Sequence, residues 1–275
     1  MLSHQASTII TIIFYAGSTL LGLWGMLNRK TSWQSAGCWL ALAGFIFQTL
    51  TLALGFHKSF PSGLSAGAYL QMLAWFLGLS GLIIWLKLKQ RTALTFATPF
   101  CLTLFAMSIP YMEQVIIIPQ SVQSSFYFLH IGALFVSLAL LAISFIASAI
   151  FLILEHRIKT KRGVKGFLQD LPALAILDKL NGFGIIISFP LYTIGLIVGF
   201  LRADPVYGST FSGDPKEIVT IIIWLLLAVI FHNRLARSWT GKKPALMMIG
   251  IFLLSIFSLL VVNTIMPSHH AFIRP

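Results

Sequence analysis

The chain is short of charge. Asp, Glu, Lys and Arg make up 9% of its 275 residues, against roughly 25% in a soluble domain. Acids are the scarcer sign, with 7 Asp and Glu against 19 Lys and Arg. The carboxylates are Glu113, Glu155, Asp170, Asp178, Asp204, Asp214 and Glu217, and none falls near the middle of an apolar run. That excludes a proton relay or ion pathway built on carboxylates buried in a membrane. Cysteine is nearly missing too. Cys38 and Cys101 both lie inside apolar runs and no CxxC occurs, which excludes thiol-redox and zinc-ribbon chemistry. No phosphate-binding loop, serine nucleophile elbow or zinc-protease motif is present, so there is no catalytic acid, base or nucleophile to name.

What the chain has instead is apolar length. Hydrophobic residues are 57% of it, gathered into runs long enough to cross a bilayer, which takes about 20 residues each. The runs predict eight spans at roughly 8–27, 37–57, 67–86, 93–110, 125–155, 182–202, 216–236 and 244–266. No small-residue cleavage site follows the first, so it is expected to remain as a span. The expected fold is an all-α polytopic bundle, one integral membrane domain over 1–275. The fifth run exceeds the bilayer thickness, so that helix should tilt or project into water.

Charge placement orients the bundle. Fifteen of the 19 basic residues fall on one set of loops and span ends: Arg29, Lys30, Lys87, Lys89, Arg91, Arg157, Lys159, Lys161, Arg162, Lys165, Lys179, Arg234, Arg237, Lys242 and Lys243. The other set holds Lys58, Arg202, Lys216 and Arg274. Cytoplasmic loops collect Lys and Arg, so the first set faces inside and both termini lie outside. Topology and anionic lipid headgroups account for the net charge of +12; nucleic acid is not an expected partner. Leu171, Leu174, Leu177 and Leu180 recur every three residues, the pattern of a short amphipathic helix in the inner interface. Gly195 and Gly199 form a GxxxG suited to close helix packing.

Histidine is the residue type with chemistry to offer. His130 lies about one turn inside the outer surface at the start of span five, and His269 and His270 follow span eight on the same side. His57 ends span two beside Lys58 and reads as an interfacial polar residue. His232 stands sixteen residues beyond Lys216 on span seven, about 24 Å deeper at 1.5 Å per residue. Neutral imidazoles from two helices can clamp one haem iron, while a histidine at a helix end can equally serve only as a polar cap. In the loop 203–213, Tyr207 and Phe211 can lie against a flat apolar ligand. Asp214, Pro215 and Glu217 have the chemistry of an N-cap, a first helical residue and a capping box.

Three stretches resemble the CcsA/CcmC/HemX group of cytochrome c assembly and haem-handling membrane proteins. They are Leu129-His130-Ile-Gly-Ala-Leu; Leu171-Pro-Ala-Leu-Ala-Ile-Leu-Asp178-Lys-Leu-Asn181 with Phe189-Pro-Leu-Tyr-Thr-Ile-Gly-Leu-Ile-Val-Gly199; and Gly213-Asp-Pro-Lys-Glu217 through His232 and Trp239-Thr-Gly-Lys-Lys to Met266-Pro267-Ser-His-His270. The resemblance is specific over 125–275, the family-like core. It implies haem b bound transiently at the outer face, with His130 and His270 as axial ligands of the iron. It also implies that Tyr207 and Phe211 contact the macrocycle, that Asp214 fixes the loop, and that His232 matches an inner histidine. The implied partners are haem, a CcsB-like membrane protein and apocytochrome c, in a bacterial cytoplasmic membrane. The implied role is haem export or chaperoning, without catalysis by this chain. A HemX-like regulator of haem biosynthesis, acting on glutamyl-tRNA reductase, is the alternative. Two departures bear on the choice. Tyr207, Phe211 and Gly213 replace three tryptophans of the family loop, and Gln48 stands where CcsA proteins usually place a membrane histidine.

The orientation is testable by labelling. In a cysteine-free background, Ser212→Cys is expected to react with a membrane-impermeant maleimide in intact cells. Gly163→Cys should react only after permeabilisation; the opposite pattern would invert the topology.

Overall fold

A computed structural model of the chain describes residues 4–59, 63–112, 115–117 and 125–262. Within them are α1 (His4–Leu27), α2 (Thr31–Ser59), α3 (Ala66–Leu88), α4 (Arg91–Ser108), α5 (Ser125–Lys159), α6 (Leu174–Tyr207), α7 (Pro215–Ala236) and α8 (Lys242–Phe257). Among the described residues, eight helices are long and apolar enough to cross a membrane. Their outer faces expose Leu20, Trp24, Trp39, Ile46, Ile153, Leu201 and Leu253. Apolar surface on that scale has no stable place in water, and hydrocarbon is the solvent that suits it. The protein is an all-α integral membrane protein. Two three-residue strands, β1 (Gly63–Ser65) and β2 (Val115–Ile117), pair with each other.

The chain divides into two compact units, Met1–Ile116 with Ala149–Leu177, and Ile117–Ser148 with Asp178–Pro275. In the first, α1 and α2 form a tight hairpin. A Cβ at Gly37 would stand 2.8 Å from the Gly22 amide nitrogen, so the two backbones touch where neither carries a side chain. Ser18 Oγ donates across the same seam to the Gly37 carbonyl at 2.7 Å. Small residues with a crossing hydrogen bond are how helices associate when lipid removes the hydrophobic drive between them. At the loop end, Arg29 forms a two-pronged ion pair with Asp170, Nε to Oδ2 at 2.9 Å and Nη2 to Oδ1 at 3.2 Å. The carboxylate beside it raises the Arg29 pKa further above its ordinary value, so the pair stays charged.

The core of this unit also carries a polar chain. Tyr15 donates its hydroxyl to Gln48 Oε1 at 2.5 Å, and Gln48 Nε2 donates to the Gln71 carbonyl at 2.9 Å. Gln71 Nε2 then donates to Ser108 Oγ at 3.2 Å, and Ser108 to the Phe105 carbonyl at 2.6 Å. Gln48 is 0% exposed and Gln71 1%. Each buried amide therefore finds partners on neighbouring helices, as hydrocarbon burial demands. The chain ties α1, α2, α3 and α4 together.

Helix α5, which contributes residues up to Ser148 to the second unit, is 35 residues long, about 52 Å at 1.5 Å per residue. It outruns the roughly 30 Å hydrocarbon core, as expected. The segment read as a separate interfacial helix is instead continuous with span six. A 3-10 turn covers Gly166–Asp170, and α6 then runs unbroken from Leu174 to Tyr207. Leu177 and Leu180 are buried. Leucines three apart mark one helix face whether that helix is separate or is the first turns of a longer one. Aromatic contacts fill this unit: Phe145 on Phe252 at 4.5 Å, and Phe189 on Phe231 at 4.7 Å between centroids. Trp224 Nε1 donates to Thr193 Oγ1 at 3.0 Å, joining α7 to α6.

Gln48→Leu leaves the Tyr15 hydroxyl without an acceptor, at a cost of about 1–3 kcal/mol. A lower unfolding temperature in detergent is expected. Adding Tyr15→Phe should recover part of the loss, because the orphaned hydroxyl is then gone; equal destabilisation by both variants would show that the pairing does not matter.

Candidate functional site

His130 stands on the second turn of α5, and its seat is built by the glycines of α6. The His130 Nδ1 lies 2.6 Å from the Gly195 carbonyl oxygen. A carbonyl only accepts, so Nδ1 carries the proton, and in the neutral ring Nε2 keeps its lone pair. Histidines that bind metals characteristically hold their other nitrogen this way, which fixes both tautomer and ring orientation. The two glycines have separate parts. A Cβ at Gly195 would come within 2.6 Å of Leu134 Cγ, so its absence lets α5 and α6 close up. A Cβ at Gly199 would come within 2.7 Å of His130 Cε1, so its absence makes room for the ring. The GxxxG expected to serve packing does so, and it also holds the histidine.

The loop beyond α6 is organised around α7. Helix α6 continues to Tyr207, four residues further than the expected start of the loop at Ala203, and stops at Gly208 with φ of +74°. Asp214 is 7% exposed and caps α7, its carboxylate accepting from the Lys216 backbone N–H at 2.8 Å, with Pro215 as the first helical residue. Glu217 departs from the expected capping box. Its carboxylate reaches past the cap to accept from Ser212 N at 2.9 Å, Gly213 N at 3.1 Å and Ser212 Oγ at 3.1 Å. Glu217 thereby ties down the loop itself. Phe211 is 53% exposed and meets Phe200, the neighbour of Gly199, at 6.5 Å between ring centroids. An open aromatic face thus sits one residue along from the His130 seat. Tyr207 closes α6, and its side chain lies outside the described residues, as does all of His270.

The opposite end of the same unit is held by an ion pair. Arg234 Nη1 and Nη2 donate to the Asp178 carboxylate at 3.0 Å each. They also donate to the Trp239 carbonyl at 2.8 Å and the Asp178 carbonyl at 2.9 Å. Asp178 Oδ1 in turn accepts from Gly241 N at 2.8 Å. The two side chains are 7% and 17% exposed. The pair fastens α6, α7 and the turn into α8. His232, two residues before Arg234, is exposed and takes no part in this network. The structure therefore gathers His130, Phe211 and Asp214 at one end of the unit, with His232 near the other end of α7.

Residues 66–270 match the family described as cytochrome C assembly protein. The chain belongs to that family. Its relatives include proteins named cytochrome c biogenesis protein CcsA. The one from Chlamydomonas reinhardtii is 34% identical over 162 residues, which are 58% of this chain and 44% of the relative. The one from Guillardia theta is 29% identical over 196 residues, 64% of each. The one from Porphyra purpurea is 27% identical over 241 residues, 74% of this chain and 76% of the relative. The first two are thus matched over less than two thirds of their own length. The family match covers His130, the loop, the Asp178–Arg234 pair and His270.

Sequence reasoning left three elements of this site without a role: the Gly195 carbonyl, the space at Gly199, and the Asp178–Arg234 pair. The last had a legible signal, since an acid and an arginine both sat at the ends of apolar runs. Asp178→Ala strands a buried guanidinium and is expected to cost about 3–5 kcal/mol, read as a lower unfolding temperature in detergent. Asp178→Leu combined with Arg234→Met should recover part of it; a single variant as stable as wild type would deny the pair its structural role.

Proposed function

We propose that this protein holds haem b transiently at its outer face and presents it for cytochrome c maturation. His130 Nε2 would be one axial ligand of the iron. The observation that carries this reading is the His130 Nδ1–Gly195 carbonyl hydrogen bond, which holds the ring and leaves the lone pair on Nε2. His270 would be the second ligand, on the resemblance. Phe211, with Tyr207, would lie against the macrocycle, and Asp214 and Glu217 would keep that loop in place.

The cargo brings its own reactivity, and this chain supplies binding and orientation. Apocytochrome c and a CcsB-like membrane protein are the proposed partners, and the bacterial cytoplasmic membrane the proposed location. His232 is proposed to contribute an inner contact. Regulation of haem biosynthesis is the less favoured reading, because the matching relatives are named for cytochrome c biogenesis.

The test is the absorption spectrum of the purified protein, titrated with haem. Wild type should give a bis-imidazole Soret band, and His130→Ala should weaken binding by more than about tenfold, or 1.4 kcal/mol. Gly199→Val keeps the histidine but takes its space, and should weaken binding as well. Wild type that gains no haem band would end the proposal. If haem binds, yet deleting the gene leaves c-type cytochromes intact and shifts haem precursors, the regulatory reading takes its place.

A further inference from the structure

The outer end of the second unit holds a cation that neither the fold nor the axial ligands use. Lys216 is the second residue of α7. Its backbone N–H is taken by Asp214 Oδ1 at 2.8 Å, but its side chain is half-buried and makes no ion pair within 4.0 Å among the described residues. The acid whose charge reaches it is Asp214, one oxygen of which accepts from the Lys216 backbone N–H, while both Glu217 oxygens accept from Ser212 and Gly213. The His130 imidazole lies within electrostatic reach of the Lys216 charge. A half-buried ammonium that no carboxylate touches directly is costly, and a carboxylate brought to it by a ligand relieves that cost.

Haem has one edge that carries two propionates, within one macrocycle radius of the iron. We propose that Lys216 receives a propionate carboxylate of the haem bound through His130, and so sets which way the macrocycle faces. This rests on the haem-binding reading above. It adds a specificity: the site takes a porphyrin with free carboxylates in preference to one without. The cap of α7 contributes nothing to it, since Asp214 already occupies that position. A lysine at a helix start on the outer surface can also reach a lipid phosphate, so the experiment separates the two anions.

The full-length protein in nanodiscs of phosphatidylcholine, and in a second set containing phosphatidylglycerol, is titrated with haem and with haem dimethyl ester by Soret absorbance. Wild type is expected to prefer free haem by about tenfold, the scale of one charge-assisted hydrogen bond. Lys216→Gln should lose that preference in both lipids while binding the ester as wild type does, which also shows that the variant is folded. Lys216→Arg should keep most of the preference. Equal affinity of wild type for haem and ester overturns the assignment, as does a Lys216→Gln effect that weakens both ligands alike. An effect seen only with phosphatidylglycerol assigns the lysine to lipid and overturns it too. If neither porphyrin binds wild type, the haem reading itself falls, a result distinct from all of these.

Discussion

A polar group carried into hydrocarbon has no water to fall back on, and the longest polar side chains described in this protein's interior are held by partners across a helix seam. The cost of leaving such a group unpaired is comparable to a large share of a protein's net stability. That constraint makes the polar contacts of this fold few and positional. Tyr15, Gln48, Gln71 and Ser108 pass hydrogen bonds from helix to helix through the first unit. Asp178 and Arg234 do the same at one end of the second. His130 and the Gly195 carbonyl do it at the other. Lipid offers helices little reason to adhere, so these bonds and the close contacts of glycine decide which faces meet.

The His130 seat shows how one small motif serves two needs. A backbone carbonyl inside a helix normally accepts from the amide four residues on, and it has a second lone pair to spare. Gly195 lends that lone pair to the imidazole, and its missing side chain admits Leu134 close enough for the two helices to hold register. Gly199, one turn later, removes the atom that would push the ring aside. The arrangement fixes the tautomer of His130, with the proton on Nδ1 toward the Gly195 carbonyl and the lone pair on Nε2. A histidine with the same sequence neighbours but a bulkier residue at 199 would have no such fixed direction.

The fold was legible wherever the chain's local chemistry answers to the membrane alone. Apolar length gave the spans because bilayer thickness is fixed, and Asp214-Pro215 gave the start of α7 because a cap acts within one turn. The beginning of α6 was misplaced because an i, i+3 leucine pattern marks a face without marking an end. The site was half legible. His130 stood out as a histidine near a span end, and the family resemblance gave it a ligand. Its seat did not, because Gly195 is sixty-five residues away and no periodicity announces which helix a glycine pair will meet. The tie of Glu217 to Ser212 and Gly213 was hidden for the opposite reason: it is local, but it uses backbone turned by a positive φ at Gly213.

Gln48 brings these threads together. By resemblance, its position would hold a histidine. A glutamine there could have been an idle replacement, with its amide turned to whatever space the ring left. It is instead engaged at both ends, accepting from Tyr15 and donating to Gln71, with no exposure. An amide so engaged has little to offer a metal, and moving it would strand the Tyr15 hydroxyl. The first unit has therefore put structure where a ligand would have stood. His232 lies exposed on α7 and outside the Asp178–Arg234 network. On the proposed reading, the ligand set therefore gathers at the His130 end of the second unit, away from the Asp178–Arg234 pair.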